Sequence, residues 1–389
     1  MISTALTGDL VRGIAELEPT PLGVALHRLP RWMRRQFPDP QLLAMEAQPS
    51  GVRVEFTTSA SRIELVTHPT RIAYLGADRP RGRIDVYVDG VLRVRDELTG
   101  GNRIDVDLQT GASSAHHGPS HTTVVADLGP QAKSVRAWLP HNESLELVAL
   151  RTDRPVEPEQ RHERVWVHHG SSISQGSNAL APSQTWPAVA ARSVGDVHLR
   201  NLGLGGSALV DPFLGRVIRD TPADVISVKL GINVVNLDAM RLRAFVPAVH
   251  GFLDTIRDGH PTTPLILISP IFCGIHETTP GPGAVDPITL GTDHVAFIAT
   301  GAAGDTGQGH LTLEVVREAL RAVVEARADD ANLHHLDGLT LYGPGDADEL
   351  PLSDGLHPGT EAHHLIGTRF AEYALAPGTP LGPTRTRKG

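Results

Sequence analysis

The chain has 389 residues and a formal net charge of −9, with apolar residues at 40% and charged residues at 20%. This length predicts two domains that each bury a core, and this composition excludes a fibrous or disordered chain. The negative net charge gives no general attraction to nucleic acid or anionic membranes. The sequence has no leader-like start and no apolar run of about 18 residues, which predicts a cytoplasmic protein without membrane insertion.

The first part of the chain alternates apolar and polar residues with a period of two. Val52, Val54 and Phe56 alternate with charged residues. Residues 83–94 alternate in the same way around Asp89-Gly90, a dipeptide typical of tight hairpin turns. The histidine-bearing segment 111–121 interrupts this pattern, so we predict that it is a surface loop. Together these features predict an all-β, jelly-roll-like sandwich over residues 1–155.

Proline and charged residues dominate residues 152–164, which we interpret as a linker. Beyond it, strand-like runs alternate with helical segments, which predicts a parallel sheet flanked by helices over residues 162–378, followed by a flexible tail over 379–389. In such a fold, ligands bind beyond the carboxyl ends of the strands. The strands are predicted at 164–170, 197–203, 224–231, 264–271 and 332–338, and the main helices at 239–259, 311–328 and 360–376.

Polar motifs stand at the ends of the predicted strands. Ser172 follows the first strand, a glycine-rich turn reaching Gly206 ends the second, and Asn233 follows the third. Asp354 and His357 lie three residues apart before the last helix, a spacing that lets a carboxylate meet one imidazole nitrogen. Each motif alone is typical of a helix cap or a turn. In this order they suit distinct roles in acyl transfer.

The order Ser, Gly, Asn, Asp-x-x-His resembles that of the SGNH hydrolases, also called the GDSL esterase superfamily, over residues 164–376. The resemblance implies a flavodoxin-like three-layer α/β/α fold with a parallel sheet. It implies that Ser172 is the nucleophile, His357 the general base and Asp354 the residue that orients the base. It also implies an oxyanion hole made of the Ser172 and Gly206 N–H groups and the Asn233 side-chain amide.

One position departs from the family pattern, because Ser171 stands where the Gly-Asp-Ser motif has aspartate. That aspartate is outside the triad in the family, so the departure concerns the loop more than the activity. Residues 26–33 and 51–67 resemble the β-sandwich that precedes the hydrolase domain in a two-domain branch, several members of which deacetylate carbohydrates. The resemblance therefore implies a serine esterase that acts on a small-molecule ester and removes a small acyl group, acetyl first of all, from a carbohydrate or glycosylated metabolite.

Three alternatives remain open. An acyltransferase would use the same acyl-serine, and a non-catalytic protein would use the sandwich to bind a carbohydrate or a partner. A metal hydrolase is suggested by the 20 histidines. Two observations argue against a metal. The sequence has no H-E-x-x-H motif, and the side chains of the adjacent histidines at 116–117, 168–169 and 363–364 point in different directions if they lie on regular elements. We therefore predict neither a metal nor another cofactor.

Two further features lie near the predicted site. The single cysteine, Cys273, excludes an intrachain disulfide and a cysteine-based zinc site, and we predict that it is buried. Residues 274–310 are long, weakly periodic and rich in Gly, Pro and Thr. A segment of this kind at the catalytic edge of a compact domain is typical of a functional lid.

Overall fold

Two largely antiparallel sheets enclose one apolar core in the N-terminal part of the chain, as seen in a computed structural model. The structure describes residues 1–74, 80–107, 110–159, 163–195, 197–289, 292 and 295–383. Val54, Val86 and Val135 from one sheet and Leu65 and Leu150 from the other belong to this core. The alternation of apolar residues therefore marks the inner faces of the sheets, as a period of two requires.

The first sheet has the order β10-β9-β6-β13-β4-β3, with β1 added to β13 and β11 to β6, and the second has the order β14-β5-β12-β7-β8, with β2 added to β5. The elements are β1 (Ile2–Thr4), β2 (Val11–Arg12), β3 (Glu16–Pro19), β4 (Val24–His27), α1 (Arg31–Gln36), α2 (Pro40–Glu46), β5 (Arg53–Thr58), β6 (Ile63–Tyr74), β7 (Arg83–Val88), β8 (Val91–Glu97), β9 (Asn102–Val106), β10 (Ser113–His116), β11 (His121–Val125), β12 (Lys133–Trp138), β13 (Ser144–Thr152) and β14 (Val156–Pro158).

The hairpin prediction at Asp89-Gly90 is confirmed, since these residues join β7 to β8 with φ values of 49° and 79°. The surface-loop prediction for residues 111–121 is wrong over 113–116, which form the fully exposed strand β10 paired with β9, and at His121, the buried first residue of β11. The linker prediction is wrong over 156–158, which form β14 beside β5, while residues 160–162 lie outside the described residues. Strand β10 is exposed throughout, and β14 is only three residues long with Val156 alone packed on the core, so neither sequence shows an alternation.

The second part of the chain contains the predicted parallel sheet, in the order β16-β15-β17-β18-β21, and a separate hairpin of β19 and β20. Its elements are β15 (Arg164–Gly170), α3 (Ser172–Gln175), α4 (Trp186–Val194), β16 (Val197–Gly203), α5 (Pro212–Arg219), β17 (Val225–Lys229), α6 (Ile232–Asn236), α7 (Leu242–Gly259), β18 (Leu265–Ile268), β19 (Gly283–Val285), β20 (Phe297–Ala299), α8 (Leu313–Glu325), β21 (Leu333–Leu336), α9 (Pro344–Glu349), α10 (Thr360–Phe370) and a π-helical turn (Ala371–Leu375).

Helices cover both faces of this sheet. On β15, His168 packs against Trp186 of α4 with ring centroids 4.7 Å apart, whereas the next residue, His169, packs against Phe252 of α7 with centroids 6.0 Å apart. Since successive strand residues face opposite sides, α4 and α7 lie on different faces. Helix α10 packs on α4, and α5 and α8 pack on α7. The predicted three-layer α/β/α fold is thereby confirmed.

The chain divides into two compact units. One comprises Met1–His162, Ala181–Ser183 and Gly291–His294, and the other comprises the remaining residues. None of the helices in the described ranges is both long and apolar enough to cross a membrane.

Candidate active site

Ser172 begins α3, immediately after β15 and the turn residue Ser171. Gly170 ends the strand, and a β-carbon at this position would lie 2.3 Å from the Ser174 Oγ. Only glycine lets the helix fold back this closely on the strand. Ser171 caps the helix by accepting the Ile173 N–H at 3.4 Å. The position where the family motif has aspartate is thus occupied by another good N-cap residue.

Ser172, His357 and Asp354 form a continuous hydrogen-bonded chain. The Ser172 Oγ lies 2.9 Å from His357 Nε2, and His357 Nδ1 lies 2.8 Å from Asp354 Oδ2. Ser172 and His357 are partly exposed, whereas Asp354 is buried. A carboxylate facing Nδ1 keeps the imidazole proton on that nitrogen and leaves Nε2 to accept the serine proton. The structure therefore brings these three predicted residues together in an order that can activate a hydroxyl.

The carboxylate of Asp354 also holds the turn that carries His357. Its Oδ1 accepts the N–H groups of Leu356 at 2.9 Å and of His357 at 2.6 Å, and Gly355 between them has a φ of 78°. Burial alone raises the pKa of Asp354, but the hydrogen bond and charge of His357 and the two N–H groups outweigh it and lower the pKa to about 2. Asp354 is therefore ionised at neutral pH.

The remaining two predicted residues lie on the turn after β16 and at the start of α6. Gly206 has a φ of 69°, and Asn233 uses its Oδ1 to accept the Ala208 N–H at 3.1 Å. This bond orients the Asn233 amide so that its nitrogen is the free, donating end. In the part of the chain that the structure describes, the Ser172 N–H, the Gly206 N–H and the Asn233 Nδ2 have no acceptor. Such donors can stabilise a developing oxyanion.

Two buried amides that the sequence analysis did not single out join the glycine-rich turn to α3. Asn201 Nδ2 donates to the Ser174 carbonyl at 2.9 Å, and Asn201 Oδ1 accepts the Gly203 N–H at 2.9 Å. Gln175 Oε1 accepts the Gly205 N–H at 2.8 Å. Of the two, Asn201 could have been identified from the sequence, because an amide inside a predicted strand must find hydrogen-bond partners when it is buried.

His168 and His169 diverge, as predicted, and both are buried. His168 bonds Ser227 at 2.7 Å through Nδ1 and Ser174 at 2.8 Å through Nε2. Burial, followed by the charges of His169 and Lys229, lowers the pKa of His168 well below its usual value. His168 is therefore a neutral structural group. No cluster of three or more His, Cys, Asp or Glu residues among the described ranges is arranged to hold a metal ion.

The Asp354–His357 turn has other neighbours that the sequence did not reveal. Asn178 Nδ2 donates to Asp354 Oδ2 at 2.9 Å. Phe297 packs its ring edge on His357, with centroids 5.7 Å apart, and it lies in the hairpin β19-β20. That hairpin belongs to the segment predicted as a lid, of which residues 290, 291, 293 and 294 lie outside the described residues, so the lid stays a prediction. Cys273 is buried, as predicted.

The chain resembles known proteins in its family and in its fold. The sequence profile of the GDSL-like lipase/acylhydrolase family matches residues 169–365, whereas no curated protein matches the chain significantly. Among solved structures, the chain is similar to a salicylyl-acyltransferase, SsfX3, from a tetracycline biosynthetic pathway, with 25% identity, 95% of each chain covered and a TM-score of 0.77.

Two carbohydrate esterase structures share the fold at lower identity. One is a family two carbohydrate esterase from Cellvibrio japonicus, with 11% identity, 95% of this chain and 96% of that chain covered, and a TM-score of 0.56. The other is an acetyl xylan esterase, Est2A, from Butyrivibrio proteoclasticus, with 12% identity, 96% and 98% covered, and a TM-score of 0.53. The family match spans half of the chain, which therefore belongs to the GDSL-like lipase/acylhydrolase, or SGNH hydrolase, family.

Proposed function

We propose that this protein is a serine esterase that cleaves a small acyl ester through an acyl-Ser172 intermediate. The observation that carries the proposal is the Ser172 Oγ at 2.9 Å from His357 Nε2, with Asp354 on the other imidazole nitrogen. A serine hydroxyl is a weak nucleophile until a base removes its proton. An ionised Asp354 keeps His357 in the tautomer that can act as this base and stabilises the imidazolium that forms.

In the first half of the reaction, Ser172 Oγ attacks the ester carbonyl carbon while its proton passes to His357 Nε2. The carbonyl oxygen becomes an oxyanion, and the Ser172 N–H, the Gly206 N–H and the Asn233 amide donate hydrogen bonds to it. When the tetrahedral intermediate collapses, His357 returns the proton to the departing alcohol, and an acyl-serine remains. In the second half, water attacks the acyl-serine carbonyl carbon while one of its protons passes to His357 Nε2. The bond to Ser172 Oγ then breaks, His357 returns the proton to Oγ, and the carboxylic acid leaves.

We assign the acyl group as acetyl and the alcohol as a carbohydrate or a glycosylated metabolite. Support comes from two structural neighbours whose names describe a carbohydrate esterase and an acetyl xylan esterase. Both neighbours extend over 95% or more of this chain, so the similarity includes the part that precedes the parallel sheet. The proposed partner is accordingly a small-molecule ester.

An acyltransferase is the second candidate, favoured by the similarity to the salicylyl-acyltransferase over 95% of the chain. The first half-reaction is identical in the two candidates. They differ only in the second, where an alcohol or amine instead of water attacks the acyl-serine. The decisive quantity is therefore the fate of the acyl group after Ser172 has taken it up.

The test begins with the wild-type chain, p-nitrophenyl acetate and a fluorophosphonate label, and uses Ser172→Ala as the control. We expect covalent labelling and nitrophenol release by the wild type, and neither by Ser172→Ala. Product analysis with added sugar alcohols and amines then separates the candidates, since a hydrolase releases acetate and a transferase acetylates the acceptor. Full activity or labelling in Ser172→Ala contradicts the proposal.

A further inference from the structure

One oxygen of Asp354 receives two side-chain donors. Asp354 Oδ2 accepts from His357 Nδ1 at 2.8 Å and from Asn178 Nδ2 at 2.9 Å. Asn178 follows α3, the helix that begins with Ser172, by three residues. A single amide therefore links the segment that carries the hydroxyl to the turn that carries the acid and the base.

The backbone explains why this amide is an asparagine. Asn178 has a φ of 66°, two residues after Gly176, which ends α3 with a φ of 116°. Besides glycine, asparagine and aspartate are the residues that best tolerate the left-handed region. Glycine would lack the donor, and aspartate would place a second carboxylate against Asp354. Asparagine alone meets both requirements.

The donor supplied by Asn178 completes the hydrogen bonding of the carboxylate. Oδ1 is already occupied by the Leu356 and His357 N–H groups, so both oxygens of Asp354 are held by two donors each. A carboxylate that loses a donor becomes a stronger acceptor and can rotate away from His357. A stronger acceptor at Nδ1 makes the imidazolium easier to form and harder to discharge.

We propose that Asn178 is a positioning residue of the acyl-transfer site, acting through Asp354 to fix the orientation of His357. This inference rests on the proposed function. Other titratable groups also surround the turn: His363 of α10 lies close enough to interact electrostatically with His357, and Cys273, which follows β18, with Asp354. Replacing Asn178 leaves both of these groups in place, so a change in pH dependence can be attributed to the amide.

The experiment compares Asn178→Gly and Asn178→Asp with the wild type. Both replacements accept the left-handed backbone, and Asn178 is exposed, so the core is not disturbed. Glycine removes the donor, and aspartate replaces it with a negative charge. The measurements are kcat and KM for p-nitrophenyl acetate from pH 5 to 9, with thermal unfolding as a check on folding. A matched control is Asp127→Gly at another exposed left-handed residue, with a φ of 57°.

For Asn178→Gly we expect kcat to fall roughly 10-fold or more with KM within about 2-fold, because a hydrogen bond to a charged group is lost. The midpoint of the acidic limb of kcat/KM should move to higher pH in the order wild type, Asn178→Gly, Asn178→Asp. The Asp127→Gly control should match the wild type. A purely structural role would lower activity in both variants without this ordered shift in the midpoint.

Two results contradict the inference in distinguishable ways. If Asn178→Gly keeps the wild-type kcat and midpoint, the positioning role is wrong while the proposed function stands. If the folded wild type neither turns over the ester nor takes the fluorophosphonate label, the proposed function is wrong, and the role of Asn178 falls with it.

Discussion

Two serine–histidine pairs lie two residues apart on the same strand-to-helix connection, and only one of them has the features of a catalytic site. Ser172 Oγ lies 2.9 Å from His357 Nε2, and Ser174 Oγ lies 2.8 Å from His168 Nε2. The distances are nearly the same, so the contact itself does not separate the two pairs. The two pairs differ in the partner of the second imidazole nitrogen and in their exposure to solvent.

The second nitrogen of His357 faces the ionised Asp354, whereas that of His168 faces the hydroxyl of Ser227. A hydroxyl cannot compensate the charge of an imidazolium as a carboxylate does. The pair of Ser174 and His168 is also completely buried, and Trp166 Nε1 donates to the same Ser227 hydroxyl at 2.8 Å. This second pair therefore supports the sheet, and a Ser–His distance alone would not identify the nucleophile.

The largest expected effect is the contrast between Ser172→Ala and Ser174→Ala. We expect Ser172→Ala to lower kcat by about 10⁴-fold or more, since it removes the nucleophile. Ser174→Ala should keep kcat within a few-fold and lower the free energy of unfolding by about 1–3 kcal/mol, because it leaves His168 Nε2 without its partner. Ester kinetics and urea unfolding of both variants measure the contrast. The reverse pattern would assign the chemistry to the buried pair.

The next largest effect concerns the predicted oxyanion-hole donors, which lie beside the Ser172–His357 pair. Asn233→Ala should lower kcat by about 10²- to 10³-fold with little change in KM, because the Asn233 amide is expected to bind the oxyanion formed in the transition state. Asn233→Asp is the matched variant, since its carboxylate still accepts the Ala208 N–H but donates nothing. An equal or larger loss is expected for Asn233→Asp. If Asn233→Asp were fully active, Asn233 would be a structural residue only.

The smallest effect concerns the charge near the buried pair. Lys229 is 2% exposed, and within the described ranges its ammonium has no hydrogen-bond or ion-pair partner. Burial, opposed by Cys273 and assisted by Arg317, lowers its pKa from 10.5 to about 8. Between these pH values the unfolded chain binds more protons, so Lys229 makes stability rise with pH there, while below pH 8 it destabilises the fold by on the order of 3 kcal/mol.

Lys229→Met keeps the length of the side chain without the charge. We expect the variant to be more stable than the wild type at pH 7, and the difference to shrink as the pH rises from 8 toward 10.5. Burial raises the pKa of Cys273 to about 12, which opposes stability at high pH in both proteins. Unfolding free energies across this range measure the difference. A difference that stays constant over this range would show that the pKa of Lys229 is the same in the folded and the unfolded chain, so that burial does not lower it.

The sequence was sufficient for the parallel sheet and for the residues brought together at its edge. Strands 164–170 and 197–203 were predicted with their observed bounds, because each is a short run containing Val, Trp or Leu that ends at a glycine. The edge strands β10 and β14 could not be predicted, since β10 buries no residue and β14 is a three-residue strand with only Val156 packed on the core. The sequence does not single out Asn178, for another reason. Its importance depends on a carboxylate 176 residues away in the sequence, and its own surroundings, Ser177 and Ala179, indicate only a turn.

The turn at Gly355 has a consequence for how substitutions are tolerated. Gly355 separates the acid from the base, has a φ of 78°, and a β-carbon there would lie 3.0 Å from the Phe297 carbonyl oxygen. Any side chain would strain the backbone that sets the spacing between carboxylate and imidazole. In a saturation scan scored by turnover, this position should therefore favour glycine, although it contributes no functional group to the reaction.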